Sequence, residues 1–328
     1  MTVAHRTRLG SPEDADAICR LAWRTYGPTY QHDEYYQPDR LARMLADGTQ
    51  VSFVTVLDSG ELVGHSAVLL EGPGAVVVEG GRAMVDPRFR GHHLMSAPWQ
   101  LQQQQRFADH GVLAMEGAAV TAHTRSQRDG PIVSVLLGFL PPIRFEGIDG
   151  TETGLREAVV GGLVPMGEIP RQRVHLPRRD AAMLEHLYEA IGLDRHVVPD
   201  HVPPSAGSSS LDVLVRPDLG HAVVVVNAIG ADLGVALRQR LDAVARGGIE
   251  VTYVDLALDD PATSWAADVV ADAGGILAGL QPLERGGVDV VRYQHLGPTL
   301  VDPEAIHLRS PDARALLDYV LAQRGGAS

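Results

Sequence analysis

Between Met84 and Leu94 the chain reads Met-Val-Asp-Pro-Arg-Phe-Arg-Gly-His-His-Leu. An apolar strand ends at Val85, and Asp86-Pro87 turns the chain. Arg88 and Arg90 bring positive charge, and Gly91 lets backbone approach a ligand with no Cβ in the way. A helix predicted from Leu94 to His110 then offers unpaired N–H groups at its positive dipole end. These parts suit a diphosphate. A solvated basic turn before a surface helix is the competing reading, and arginines around a glycine do not by themselves defeat it. The strand before and the helix after tilt the balance.

Two further clusters carry acid–base or recognition chemistry. Glu79 lies on the strand approaching the loop, where a carboxylate can take a proton; a plain strand-edge charge beside Gly80-Gly81 fits equally well. Glu116, on the following strand, is the second choice. His123, in the turn Thr121 to Gln127, titrates near neutrality and can pass a proton, or can hold that turn by hydrogen bonds. Tyr26, Tyr30, Tyr35 and Tyr36 are half of the chain's 8 tyrosines and fall beside His32, Asp33 and Glu34. Hydroxyls and carboxylates so grouped can orient a polar or cationic amine. A packed loop with aromatic anchors explains the same residues.

The elements that must position these groups follow from periodicity and breakers. The sequence predicts a strand over 3–9, then a helix opened by Ser11-Pro12-Glu13 and broken at Gly27-Pro28. A short helix over 39–47, a hairpin of strands 51–57 and 62–70, and strand segments at 75–79 and 82–85 come next. After the helix from Leu94 come a strand over 112–121, a helix over 126–137, and a return strand from Gly138-Phe139. The order is β-α-α-β-β-β-α-β-α-β, a mixed α/β (α+β) arrangement rather than a regular doubly wound sheet. Residues 141–178 are rich in Pro, Gly and Arg and read as a join. Beyond it a similar rhythm returns: helix 179–191, strands 211–215 and 222–229, helix 231–246, strand 250–256, helix 261–273, then two strands. The expected division is 1–172 and 173–328, two related domains in tandem.

The run Arg88-x-x-Gly91-x-His93 after the Val85-x-Pro87 turn resembles the Q/R-x-x-G-x-G/A signature of the GNAT N-acyltransferases. The stretch Arg8 to Ala22 looks like that family's first strand and helix, and Gly138-Phe139 looks like its Gly-Phe pair. The resemblance covers about residues 3–145. It implies tandem GNAT-like mixed sheets flanked by helices, the first binding acetyl-CoA or another acyl-CoA. It implies that Met84 and Val85 align the pantetheine arm, that Arg88, Phe89, Arg90, Gly91, His92 and His93 hold the pyrophosphate, and that Glu79 is the base. The segment after the first helix, with Tyr26, Tyr30, Asp33, Glu34 and Tyr35, would border the acceptor, a small-molecule amine. His93 replaces the family's small residue, and Ser134 stands where many members have a tyrosine that protonates the leaving thiolate. His123 is the candidate replacement. A noncatalytic protein that binds or senses an acyl-CoA fits the same departures. Around Gly230-Ala231-Asp232 the second half has no paired arginines, and Asp232 would repel phosphate, so that copy is expected to lack the coenzyme loop.

Bulk properties narrow the field. All 28 basic residues are arginine, against 41 acidic ones, giving a net charge of −13. No lysine is present to form a Schiff base or a phosphate-loop contact. Acidity of this size disfavours nucleic acid as a partner. Cys19 is the one cysteine, so internal disulfides and multi-cysteine metal sites are excluded, and adjacent His92-His93 do not make a helical metal pair. No run of about 18 apolar residues is present. With no signal-like N-terminus, a cytoplasmic protein is expected.

Overall fold

The computed structural model describes residues 4–70, 75–105, 107, 111–127, 131–142, 154–199, 202–204, 207–297 and 301–325. The chain forms two compact units. The first comprises 1–118, 142–154 and 165–168; the second comprises 119–141, 155–164 and 169–328. Two stretches from before the expected division at 172/173, 119–141 and 155–164, therefore pack with the C-terminal half. Of the expected join over 141–178, residues 143–153 lie outside the described residues, and the remainder contains strands at Glu157–Pro165 and Gln172–Val174.

In the first unit β1 (His5–Leu9), β2 (Gln50–Leu57), β3 (Leu62–Leu69) and β4 (Val77–Val85) pair antiparallel in that order. β5 (Ala114–Val120) then joins β4 in parallel. Helix α1 (Ala15–Tyr26) buries Ile18, Leu21, Ala22 and Thr25, one face at helical spacing, and Asp14 and Ser11 form a capping box just before it. α1 and α2 (Pro38–Asp47) cover one sheet face with Val54, Val56 and Met84. Phe53, Val68, Val78 and Met115 form a second core with Phe107 and Val112, joined by Trp99 and Leu101 of α3 (Ser96–Gln104). Phe53 and Val54 thus serve opposite faces, the alternation of a strand buried on both sides.

β4 is one strand rather than two segments, but Arg82 and Ala83 together oppose Ser66 of β3, a bulge with Arg82 at φ +54°. The ladder from β4 to β5 records only Val77, Val78 and Glu79 against Ala114, Met115 and Glu116. α3 starts at Ser96 instead of Leu94, with Met95 as its N-cap, and His93 just upstream takes φ +56°. The helix also ends early, at Gln104, where Gln105 turns extended, rather than at the expected His110.

The second unit contains β6 (Ile132–Leu140), β7 (Glu157–Pro165), β10 (Ser210–Arg216), β11 (His221–Ala228), β12 (Val251–Ala257), β13 (Ile276–Arg285) and β14 (Val288–His295). Their spatial order is β7-β6-β13-β14-β12-β11-β10. β11 and β12 are parallel, linked through α5 (Leu233–Arg246), and the other neighbours are antiparallel. The unit adds α4 (Ala181–Ile191), α6 (Thr263–Asp272), α7 (Pro311–Gly325) and a two-stranded ribbon of β8 (Gln172–Val174) with β9 (Arg195–Val197). The helix expected over 126–137 is not formed; Ile132–Leu140 is strand β6. Its Ile-Val-Ser-Val-Leu-Leu run is β-branched and apolar, and burial on both faces suits a central strand better than a helix.

Buried charge in this unit is paired. Arg195 and Asp289, 2% and 0% exposed, meet at 2.6 Å, and Asp289 also accepts from the Tyr188 hydroxyl and the Leu283 N–H. Arg292 pairs with Asp255 through two hydrogen bonds. Burial beside the Asp289 charge keeps the Tyr188 hydroxyl protonated, its pKa well above the ordinary value.

Candidate functional site

The loop after β4 is built on Asp86. Its side chain is 1% exposed and caps the turn Pro87–Phe89 by accepting from the Arg88 N–H. Arg24 of α1 donates to it at 2.6 Å, and Arg88 donates through Nε at 3.0 Å and Nη2 at 2.8 Å. Burial works against the carboxylate, yet these hydrogen bonds win and hold its pKa at about 2. Arg88 reaches Glu61 as well. Its charge is thus matched by two carboxylates that tie it to the loop.

Beyond Asp86 the backbone runs through two residues with positive φ. Phe89 N–H bonds to Asp86 O and Ser96 N–H to His93 O. Among the described residues, no acceptor stands in hydrogen-bond reach of the N–H groups of Gly91, His92, His93 or Leu94. Gly91 has φ +83° and His93 φ +56°. Left-handed residues interleaved in a turn point successive N–H groups into a concavity, and such nests bind anions. The side chains of His92 and His93 are exposed, and Arg90 is half-buried. Met84 points into the core, leaving only its backbone for a ligand.

Upstream of the loop, the β4 bulge carries a buried guanidinium. Arg82 ion-pairs with Glu79, their side chains 9% and 29% exposed, and a second contact runs from Nη2 to Oε2 at 3.2 Å. Glu34 Oε1 stands 4.0 Å from Arg82 Nε and 3.8 Å from His32 Nδ1. Burial opposes the Arg82 charge, but Glu79, Tyr30 and Tyr35 raise its pKa overall. Glu116 sits beside Glu79 in the parallel register.

A buried relay fixes this bulge. The Arg82 carbonyl can only accept, so His65 Nδ1, 2.9 Å away, carries the proton. His65 Nε2 must then accept from Ser52 Oγ at 2.9 Å. Ser52 accepts from Gln50 Nε2 at 2.8 Å, and Gln50 Oε1 accepts from Tyr35 at 3.3 Å. Every group has one consistent role, and burial pushes the His65 imidazole down to about 4, keeping it neutral.

The tyrosine segment lies against the same bulge. Tyr26 and Tyr30 stack at 4.4 Å, and the Tyr26 hydroxyl donates to Ala83 O at 3.4 Å. Tyr35 is in the core, 5.5 Å from the Tyr30 ring and from the His65 ring, and forms the wall behind the site. Asp33 is exposed on the rim. Burial raises the Tyr26 hydroxyl to about 12 and those of Tyr30 and Tyr35 further.

The first unit thus brings together Tyr26, Tyr30, Glu34, Tyr35, Glu79, Glu116 and the loop. His123 and Ser134 belong to the second unit. His123 O accepts from Gln127 Nε2 in an irregular turn, and Ser134 is buried on β6. Asp86, Arg24, Arg82 and His65 escaped sequence reasoning. Asp86 had one visible signal, an Asp-Pro at the end of a strand.

No family model matches the chain, and no curated relative does. Among solved structures, GNAT acetyltransferases match over about half of the chain. A ribosomal-protein-S5-alanine acetyltransferase of Vibrio fischeri is 13% identical over 51% of this chain and 96% of its own, with a TM-score of 0.37. A spermidine/spermine N-acetyltransferase of Vibrio cholerae is 12% identical, covering 49% and 95%, with a TM-score of 0.36. The Escherichia coli ribosomal-protein-S18-alanine N-acetyltransferase is 10% identical, covering 51% and 96%, with a TM-score of 0.39. At these identities and scores the likeness decides neither activity nor acceptor. The described residues contain no helix long and apolar enough to cross a membrane.

In the second unit the turn before α5 is tightly packed. Asp232, at the start of α5, accepts from Ser209 N–H at 2.6 Å. A Cβ on Gly230 would lie 2.4 Å from the Gly207 carbonyl oxygen.

Proposed function

We propose that the first unit transfers an acyl group, acetyl in the simplest case, from acyl-CoA to the amine of a small molecule. The observation that carries this reading is the run of unused N–H groups from Gly91 to Leu94, held by the Asp86 knot in a turn with two left-handed residues. Such a turn matches the pyrophosphate of coenzyme A in charge and curvature. Beyond Glu79, where the pairing with β5 stops, the β4 backbone groups not taken by β3, His65 or Tyr26 would meet the amides of the pantetheine arm.

Glu34 and Glu79 against Arg82 leave one net negative charge beside the Tyr26–Tyr30 stack, which suits a cationic acceptor. The acceptor ammonium first passes a proton to Glu79, and the amine nitrogen so freed attacks the thioester carbonyl, its second proton going to the departing thiolate. The C–S bond then breaks, and the thiolate of coenzyme A leaves and is protonated. Positioning supplies most of the rate. Glu116 is the reserve base.

A second reading draws on one contact. Arg82 holds the Glu79 carboxylate in an ion pair, which engages the oxygen that would have to reach an acceptor amine. A noncatalytic acyl-CoA sensor would tolerate that. Calorimetric titration with acetyl-CoA, followed by turnover across an amine panel, separates the two. Binding with turnover that Glu79→Gln abolishes supports transfer, binding without turnover supports the sensor, and no binding at millimolar acetyl-CoA refutes both.

A further inference from the structure

Arg82 has a donor that its ion pair does not use. The side chain is 9% exposed, and its two Nη groups are spent on Glu79. Among the described residues, Nε has no hydrogen-bond partner. A buried donor on a charged group is costly to leave unmet. Glu34 Oε1 faces it at 4.0 Å, too far for a direct hydrogen bond. Both sides of this gap are anchored. The Arg82 carbonyl accepts from His65, and the Glu34 carbonyl accepts from Gln37 N–H. Gly81 opens the floor beside the gap. The register places it on the Glu79 face of β4. Its φ is not in the left-handed region, so backbone conformation does not call for a glycine here. A Cβ built on it would meet only Glu79 Oε1, at 3.7 Å.

The two sides of the gap ask for opposite things. Arg82 Nε–H needs an acceptor, and the Glu34 carboxylate needs a donor. A ligand carboxylate would satisfy the first and be repelled by Glu34. A second ammonium would satisfy the second and be repelled by Arg82. A trans amide points its C=O and N–H in opposite directions and cannot serve both from one side. A hydroxyl donates and accepts through one atom. Its oxygen can lie about 2.9 Å from both partners, because the 4.0 Å gap is shorter than twice that length. We propose that the acceptor is a hydroxylated amine, with its ammonium on Glu79 and its hydroxyl seated between Arg82 Nε and Glu34 Oε1. Glu79 is 29% exposed, and its oxygens keep lone pairs beyond those that Arg82 uses. The fate of the amine rests on the acyl-transfer reading, and the hydroxyl seat rests on the gap alone.

Initial rates with acetyl-CoA test the seat, using amino alcohols from ethanolamine to aminopentanol, each against the alkylamine of the same carbon number. At one chain length the hydroxylated amine should have the higher kcat/KM, on the order of tenfold or more. Arg82→Lys keeps a cation for Glu79 and drops the Nε donor. Glu34→Leu removes the acceptor and spares the Arg82–Glu79 pair. Each should bring the preference to within about twofold of unity while acetyl-CoA affinity holds. Calorimetric titration of the same amines in the presence of free coenzyme A reads the preference as affinity and needs no turnover. Acetyl-CoA binding without turnover of any amine refutes the transfer reading, and the titration then decides the seat. Alkylamines that match their hydroxylated partners at every length overturn the seat, as they would if water alone bridges the gap. So does a preference that survives both variants, or the binding of no amine at all.

Discussion

Gly91→Ala isolates the backbone of the proposed anion cradle. Gly91 holds φ +83°, and a Cβ built there would meet nothing within 4 Å. The substitution therefore introduces no clash and removes no side-chain contact. Its whole effect is the cost of keeping an L-residue left-handed, about 1–2 kcal/mol. Gly91 is exposed, so little packing resists relaxation. The loop should relax toward negative φ and turn the Gly91 and His92 N–H groups out of the concavity. The same energy then appears as lost affinity for acetyl-CoA, a factor of about 5–30. Gly48 is the matched control. It has φ +80°, has equally empty surroundings, and ends α2 away from the loop. Gly48→Ala should lower the melting temperature and leave acetyl-CoA affinity unchanged. Calorimetric titration of both variants reads the difference. An affinity of Gly91→Ala within about twofold of the parent protein refutes the cradle.

The other expectations concern the charge networks. Arg82→Met strips the partner from Glu79 in a half-buried site and should cost about 2–3 kcal/mol in urea unfolding, with Glu79→Gln added in the same chain recovering part of it. Asp289→Ala leaves Arg195 buried without its acid and should cost about 3–5 kcal/mol, enough to melt the second unit first in calorimetry. His65, held down to about 4 by burial, is neutral when folded and takes up a proton on unfolding below about 6.5. Its contribution is complete above that pH and is lost as pH falls through 4. A thermal-melt series from pH 7 to 4 should show a decline of about 3 kcal/mol from this group. His221, also depressed to about 4 by burial, adds a similar decline in the second unit, so His65→Gln should flatten the first unit's curve alone.

Periodicity made α1, the β2–β3 hairpin and the α5–β12–α6 succession legible, since each presents a clean face and ends at a glycine or a turn. It failed at 126–137 because Ile132–Leu140 is buried on both sides, and continuous apolar residues carry no period to separate strand from helix. The Asp86 loop was visible as strand, Asp-Pro turn and glycine. The fate of Arg88 was not, because Glu61 lies in the β2–β3 turn, far away in sequence. The Arg82 bulge was hidden for the same reason: its relay through His65, Ser52 and Gln50 joins three strands. Local sequence shows what a residue is able to do, and only the fold shows which of its partners has already claimed it.

The order in which the chain is made sets a final constraint. β6 is complete at Leu140, yet β13, its antiparallel neighbour through Gly279 and Ser134, starts at Ile276. At typical translation rates the ribosome needs on the order of ten seconds to cover that gap. Throughout that time an apolar Ile-Val-Ser-Val-Leu-Leu strand waits without its neighbour. Nascent chains of this protein should therefore depend on holding factors, and slowing elongation between the two strands should lower soluble yield even though the finished fold is unchanged.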